Sequence, residues 1–390
     1  MFVARRVRSS VNFAKGTKAF SALAGVDSTK TIIHQTTHPK AKLEKEKLKF
    51  GTTFSDHMLE IDWDAEKGWG KPLIRPYGPL NIDPASSSLH YALQCFEGMK
   101  AYINDDGKIR LFRPDMNMAR MNSSMERLFL PTFDSKEMIE CIKQLVLLDK
   151  DWIPKGDGYS LYLRPTGIST HPHIGVSASS KAKVFVILSP VGPYYPEGFA
   201  PVKLYADDKY VRAWPGGTGN TKIGGNYGST IMPQYEASKK GYSQILWLFG
   251  EEHFVTEVGT MNLFVYWINE NGEKELVTAP LHRGDILPGV TRDSILQLTR
   301  GWGEFKVTEH TITMPSIVKA QKEGRLLEIF GSGTAAIISP VELINYNGVD
   351  INVPLDAEDG KSGKLTKRIW KEMTDIQYGR VEHPWSVVIN

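Results

Sequence analysis

The chain has 390 residues, 41% hydrophobic and 23% charged, which are ordinary globular values rather than those of a disordered tract, and at roughly 150 residues per domain the length predicts two or three domains. With 47 basic against 44 acidic residues, the net charge of +3 provides no whole-surface field to grip a phosphate backbone, so nucleic acid is not expected as a partner. Two cysteines, Cys95 and Cys141, exclude a disulfide scaffold, and apolar runs such as 245–249 fall far short of the roughly 18 residues that span a bilayer, so no membrane is expected either.

In chain order, the first segment stands apart. Residues 1–26 carry Arg5, Arg6, Arg8, Lys15 and Lys18, with no acid before Asp27. Arginines alternating with apolar residues over 1–13 predict an amphipathic mitochondrial presequence and hence the mitochondrial matrix, with cytoplasm or plastid as the alternative. A polar arm is expected over 27–49 and a small N-terminal domain over 50–188. Within that domain strands are predicted at 57–62, 100–103 and 108–112, the last two joined by the turn at 104–107. Asp134 followed by Glu137 reads as a capping box for a helix with Met138, Ile142, Leu145 and Val146 on one face, ending near 152–154. Further strands follow at 159–165 and 183–188.

Pro190, Pro193 and Pro196, with Gly192 and Gly198, predict a linker over 189–200, because neither helix nor sheet interior accepts that composition. A larger C-terminal domain is expected over 201–390. Its predicted strands are 202–206, 244–249, 262–268 and 275–278, and its predicted helices 228–240, 291–300, 316–323 and 365–375. Gly241 and Gly324 stand where helices end. Strands and helices mix in both halves, so the fold class is α/β (α+β).

Four clusters could carry chemistry. Lys222 lies among Gly216, Gly217, Gly219, Gly224 and Gly225, with Arg212 before it and Tyr227 after it. The Walker and dinucleotide glycine spacings both fail there. What remains is a lysine that can form a Schiff base with a carbonyl, in a loop that permits close approach to a flat ligand. Glu257-Val-Gly-Thr260-Met-Asn262-Leu-Phe264 is the second cluster. Leu287-Pro-Gly-Val290-Thr291-Arg292 is the third, where Thr291 as N-cap would present N–H groups to a phosphate. The fourth is Phe330-Gly-Ser-Gly-Thr334-Ala335-Ala336, a turn whose N–H groups suit a carboxylate. Taken singly, a solvated lysine, a surface carboxylate and an ordinary cap are the plainer readings. Together they are what pyridoxal 5′-phosphate requires.

The run 257–264 followed by 287–292 resembles the class IV aminotransferase motif. Longer blocks, Tyr210-Val-Arg-Ala-Trp214, Gly224-Gly-Asn-Tyr-Gly228, Thr256-Glu-Val-Gly-Thr-Met-Asn-Leu-Phe264 and Gly301-Trp-Gly-Glu-Phe-Lys306, extend the resemblance over 50–380 to the eukaryotic branched-chain amino acid aminotransferases. The resemblance implies a fold type IV pyridoxal phosphate enzyme with the cofactor between its two domains. In it Lys222 would bind the aldehyde and serve as base for the substrate Cα proton. Glu257 would face the ring nitrogen, Tyr227 the ring oxygen and Leu287 the ring. Arg120, the N–H groups of Val290 and Thr291, and Thr334 would hold the phosphate, with Arg212 close by.

For substrate, the resemblance implies a wall of Phe50, Phe96 and Tyr162, with Ile174 and Val176 supplied by the other subunit of a homodimer. Tyr91, Thr260, Ala335 and Ala336 would take the α-carboxylate, and Arg164 the second carboxylate of glutamate. The implied substrates are branched-chain L-amino acids, 2-oxoglutarate, L-glutamate and branched-chain 2-oxo acids. Mitochondrial animal members carry a Cys-x-x-Cys pair after the carboxylate nest, whereas Ala336 and Ser339 stand here, so a redox switch is not expected. The alternatives are a D-amino acid aminotransferase, an aminodeoxychorismate lyase, or a non-catalytic scaffold. A metal site is not expected: His171 and His173 are close together, but no H-E-x-x-H spacing occurs.

Overall fold

A computed structural model describes residues 23–104, 106–193, 199–358 and 360–389. The expected presequence therefore falls almost wholly outside the described residues, as does 194–198 in the expected linker. Among the described residues the strands form two sheets, and with the helices they make a mixed α/β fold.

The first sheet has ten strands. Its path runs Ile32–Ile33, Leu73–Pro76, His57–Asp64, Lys181–Val191, Ser160–Ser169, Met99–Ile103, Ile109–Phe112, Ser386–Ile389, with Gly68–Trp69 and Gln94–Phe96 attached. Two helices, Pro114–Arg127 and Ser135–Leu148, cover it. Met118, Met121, Met125, Ile142 and Leu145 interlock with Leu59, Ile61, Leu161, Val184 and Val186 in one buried cluster. Each fully buried aliphatic side chain there contributes ~1.5–3 kcal/mol before the entropy of ordering it is subtracted.

Asp134 caps Ser135–Leu148 as expected, accepting from the N–H groups of Lys136 and Glu137. The carboxylate of Glu137 does not close a capping box, however, because it accepts from Ser28 N–H at 2.7 Å. Helix Pro114–Arg127 was not predicted. Its signals are Pro114 at the helix start and a buried stripe of Met118, Met121 and Met125, interrupted by enough Asn, Arg and Ser to hide the period.

The second sheet has nine strands. Phe254–Val258, Gln244–Phe249, Val202–Asp207, Ile337–Tyr346, Leu326–Gly333 and Met261–Ile268 follow in order, and the first also pairs with the last, closing a six-strand ring. Leu204, Leu246, Val258, Leu263, Ile329 and Val341 belong to its buried core. Lys274–Thr278 and Lys306–Glu309 continue the sheet outward. A third cluster joins Tyr102 and Phe112 from the first half to Phe264, Phe330, Ile369 and Met373 from the second, so the two halves share an apolar seam.

The structure departs from the expected boundaries at three places. Ile32–Ile33, inside the expected polar arm, is an edge strand parallel to Leu73–Pro76. Strand Lys181–Val191 runs into the expected linker. Ser386–Ile389 returns from the expected C-terminal domain to pair with Ile109–Phe112. Each involves pairing between residues distant in sequence, which local composition does not reveal.

Candidate active site

Lys222 lies in the irregular stretch after strand Val202–Asp207, and its main chain is pinned on both sides. Its N–H donates to Ser124 Oγ at 2.9 Å, and its carbonyl accepts from Phe96 N–H at 3.0 Å. Asn226 folds the loop on itself, donating through Nδ2 to the carbonyls of Thr218 and Thr221 at 2.8 and 2.9 Å. The lysine Nζ stands 3.2 Å from the Tyr227 hydroxyl and 4.7 Å from the centre of the Phe96 ring.

Glu257, on strand Phe254–Val258, is buried to 1% exposure. One carboxylate oxygen accepts from Leu287 N–H at 2.7 Å, and the other meets Arg212 Nε at 3.0 Å. Burial pushes this carboxyl up, while the Arg212 guanidinium, the Leu287 N–H and the charge of Lys222 pull it back. A carboxyl poised this way accepts a shared proton from a partner more readily than a solvated one does.

The third corner is the start of helix Val290–Trp302. Its cap is Gly289, so Thr291 is the second helical residue and not the N-cap that the sequence suggested. A Cβ at position 289 would lie 2.1 Å from Asn262 Oδ1, so any other residue would displace the Asn262 side chain, whose amide donates to the Leu287 carbonyl at 2.9 Å. First-turn N–H groups have no acceptor within their own helix, which leaves those of Val290 and Thr291 suited to an anion. Arg120 borders the same corner. Its fork grips Glu97 at 2.7 and 2.8 Å, and its third nitrogen donates to the Pro288 carbonyl at 3.0 Å.

One cavity of about 190 Å³ joins these corners. Arg120, Lys222, Tyr227, Leu287, Val290, Thr291 and Thr334 line it, as do Phe50, Phe96, Tyr162, Arg164, Thr260, Ala335 and Ala336. Glu257 is buried beneath the cavity. Phe50 meets Tyr162 edge-on at 4.8 Å, and the Arg164 guanidinium lies over Phe96 at 4.6 Å. At Gly98 a Cβ would fall 2.0 Å from the Tyr162 hydroxyl, so this wall also depends on a missing side chain.

Four predicted residues lie elsewhere. Arg212 is not on the cavity wall, because its guanidinium is drawn to the buried Glu257 carboxylate. Tyr91 does not join Thr260; its hydroxyl donates to the Ile174 carbonyl. Ile174 and Val176 are 66% and 85% exposed on the same chain. Tyr91 thus groups with the segment expected to serve the other subunit.

Sequence reasoning missed Glu97, the buried carboxylate that orients Arg120. It also missed Ser332, whose buried hydroxyl borders the cavity without a hydrogen-bond partner among the described residues. An acid directly before a glycine in the run Phe96-Glu97-Gly98 was the available signal for the first. The orphaned Ser332 hydroxyl, an amine at one corner, a buried acid beneath and N–H groups at the opposite corner together fit pyridoxal phosphate. Its aldehyde, ring nitrogen and phosphate need those three chemistries.

The fold and site define an amino-group transferase, and comparison with known proteins narrows the class. A model of the amino-transferase class IV family matches residues 94–344. The branched-chain-amino-acid aminotransferase of Dictyostelium discoideum is 58% identical, over 94% of this chain and 96% of its own. The cytosolic enzyme of Ovis aries is 54% identical over 92% of each chain. The mitochondrial enzyme of Schizosaccharomyces pombe is 51% identical over 93% of this chain and 85% of its own. The crystal structure of the branched-chain aminotransferase from Thermoproteus uzoniensis with norvaline shares the fold at a TM-score of 0.67 and 24% identity, over 85% of this chain and all of that one. The chain belongs to the branched-chain-amino-acid aminotransferases of the class IV family.

The thiols lie outside this chemistry. Cys95 and Cys141 are free and buried, and burial pushes both up to about 12. Near neutral pH they are therefore thiols rather than reactive thiolates. Mild peroxide is expected to leave activity unchanged, dithiothreitol to add nothing, and any slow loss to disappear in Cys95→Ser. Rapid inactivation that dithiothreitol reverses in both proteins would reveal a switch involving another group.

Proposed function

We propose that the protein transfers the amino group of L-leucine, L-isoleucine or L-valine to 2-oxoglutarate, reversibly, giving the branched-chain 2-oxo acid and L-glutamate. The observation that carries this reading is the meeting of Lys222, the Val290 helix start and an aromatic wall at one cavity, with the buried Glu257 held to the cavity-lining Leu287. When bound, pyridoxal phosphate supplies an aldehyde to take the amino group and a ring that draws electrons from the substrate Cα. Arg120, the N–H groups of Val290 and Thr291, and Thr334 would hold its phosphate, Leu287 would flank its ring and Tyr227 would serve its ring oxygen. Glu257 would hold a proton at the ring nitrogen, and Arg212 keeps the acid in place. Lys222 Nζ takes the proton from Cα and returns it within the cavity.

Phe50, Phe96 and Tyr162 accept the aliphatic side chain, while Thr260 and the 335–336 turn take the α-carboxylate. The exposed Tyr91, Ile174 and Val176 support a homodimer in which this segment completes the other subunit's cavity. The acid-free basic segment 1–26 supports the mitochondrial matrix, although relatives bear both mitochondrial and cytosolic names.

The absorbance spectrum of the holoenzyme tests the activity. L-Leucine should convert the visible cofactor band to an amine form, and 2-oxoglutarate should restore it. Conversion by D-amino acids instead would favour another class IV enzyme, and no response to any amino acid would favour a scaffold.

Arg164 is assigned the distal carboxylate of glutamate. Its guanidinium borders the cavity, and its Nε has no hydrogen-bond partner among the described residues. A carboxylate is costly to desolvate unpaired, and a charged hydrogen bond contributes about 1.5–3 kcal/mol. Arg164→Met is expected to raise the glutamate and 2-oxoglutarate KM ~10- to 100-fold and to change the leucine KM far less. Equal losses for both substrate classes would reduce Arg164 to packing.

A further inference from the structure

The 335–336 turn has a second face. Ala335 and Ala336 border the substrate cavity, and they also border a separate cavity of about 250 Å³ behind it. Lys100 lines that rear cavity. It stands on strand Met99–Ile103, opposite Tyr162 in the ladder, and is only 5% exposed. Its Nζ donates to the Ala335 carbonyl at 2.8 Å. Among the described residues no carboxylate pairs with it, and Asp157 on the same cavity wall is paired with Arg380. Burial alone pulls its ammonium down to about 7.

We propose that Lys100 is a positioning residue for the substrate α-carboxylate, acting through the peptide unit that joins Ala335 to Ala336. In a trans peptide the C=O and N–H point in opposite directions, so a donor fixed on the Ala335 oxygen aims the Ala336 N–H away from itself, toward the substrate side. That N–H donates to no group among the described residues. A donor on the carbonyl also polarises the peptide and strengthens the N–H as a donor, as in any hydrogen-bonded chain at low dielectric. The next residue, Ile337, is β-branched and holds φ at +65°, a conformation that the surrounding contacts must maintain. Lys100 holds the same turn two residues earlier. With no carboxylate of its own, the lysine finds its compensating charge in the arriving α-carboxylate, one peptide away.

The proposal rests on the reading that this turn takes the α-carboxylate, and the test separates the two. Calorimetry on the holoenzyme measures binding of 4-methylvaleric acid and of its amide, which has the same shape without the charge. Lys100→Met is expected to weaken the acid about tenfold, as for loss of one charge-assisted contact, and the amide less than about twofold. Lys100→Arg, which keeps charge and donor, should recover most of the acid's affinity. Equal weakening of both ligands by Lys100→Met, or none, overturns the proposal. If the Met variant does not fold, Lys100→Gln is read against the same criterion. Thr260→Val is the control for the underlying reading. If it lowers the acid-to-amide ratio while the Lys100 variants do not, only the role of Lys100 fails. If neither variant moves the ratio, the carboxylate binds elsewhere and both fail.

Discussion

Lys222→Ala is expected to lower single-turnover conversion of leucine by about 10⁴-fold or more. Loss of a positioned base alone removes ~10²–10⁴, and the same amine is the proposed covalent attachment point, so the two losses compound. The fold should survive, because the contacts that pin this loop are made by main chain: Lys222 N–H to Ser124 Oγ and Phe96 N–H to the Lys222 carbonyl. An unchanged melting temperature with lost turnover therefore assigns the defect to the amine. Added methylamine should restore part of the rate by supplying a diffusible base. Borohydride reduction of the wild-type holoenzyme, followed by peptide mapping, should place the pyridoxyl group on Lys222, and a label on another lysine would overturn the assignment.

The sequence made Lys222 and Glu257 visible because glycine and small polar residues around a lysine or an acid are unusual in a packed interior, and the four clusters together match one cofactor's requirements. Neither spacing nor composition shows that Arg120 is already held by Glu97, 23 residues earlier, since that pair forms between the link after strand Gln94–Phe96 and a helix whose apolar period is interrupted. Thr291 reads as a cap because side-chain capping is the visible signal; the actual cap is Gly289, where a Cβ would press on the Asn262 side chain. The family resemblance groups Tyr91 with Thr260, whereas its partner within the chain is Ile174, 83 residues away. What sequence missed was in each case a tertiary neighbour, and each correction falls on the residues that orient the site rather than on those proposed to react.

Glu257→Gln separates two jobs that the acid performs. In the resting protein it pairs with Arg212, both side chains being 2% exposed, and removing one member of a buried pair leaves the other charge uncompensated at a cost of about 3–5 kcal/mol. The apoprotein variant should therefore melt at a lower temperature. During turnover the acid is assigned to hold a proton on the cofactor's ring nitrogen, which a neutral amide cannot do, so electron withdrawal from Cα weakens. Loss of one preorganised charge aimed where charge develops corresponds to roughly 10²–10³ in rate. The two effects divide experimentally: saturating cofactor should recover much of the thermal stability by mass action but none of the turnover number. Glu257→Asp keeps a carboxylate on a shorter reach and should recover part of both. If Glu257→Gln turns over at near wild-type rate once loaded, another acid serves the ring nitrogen, and Glu257 is a structural partner of Arg212 alone.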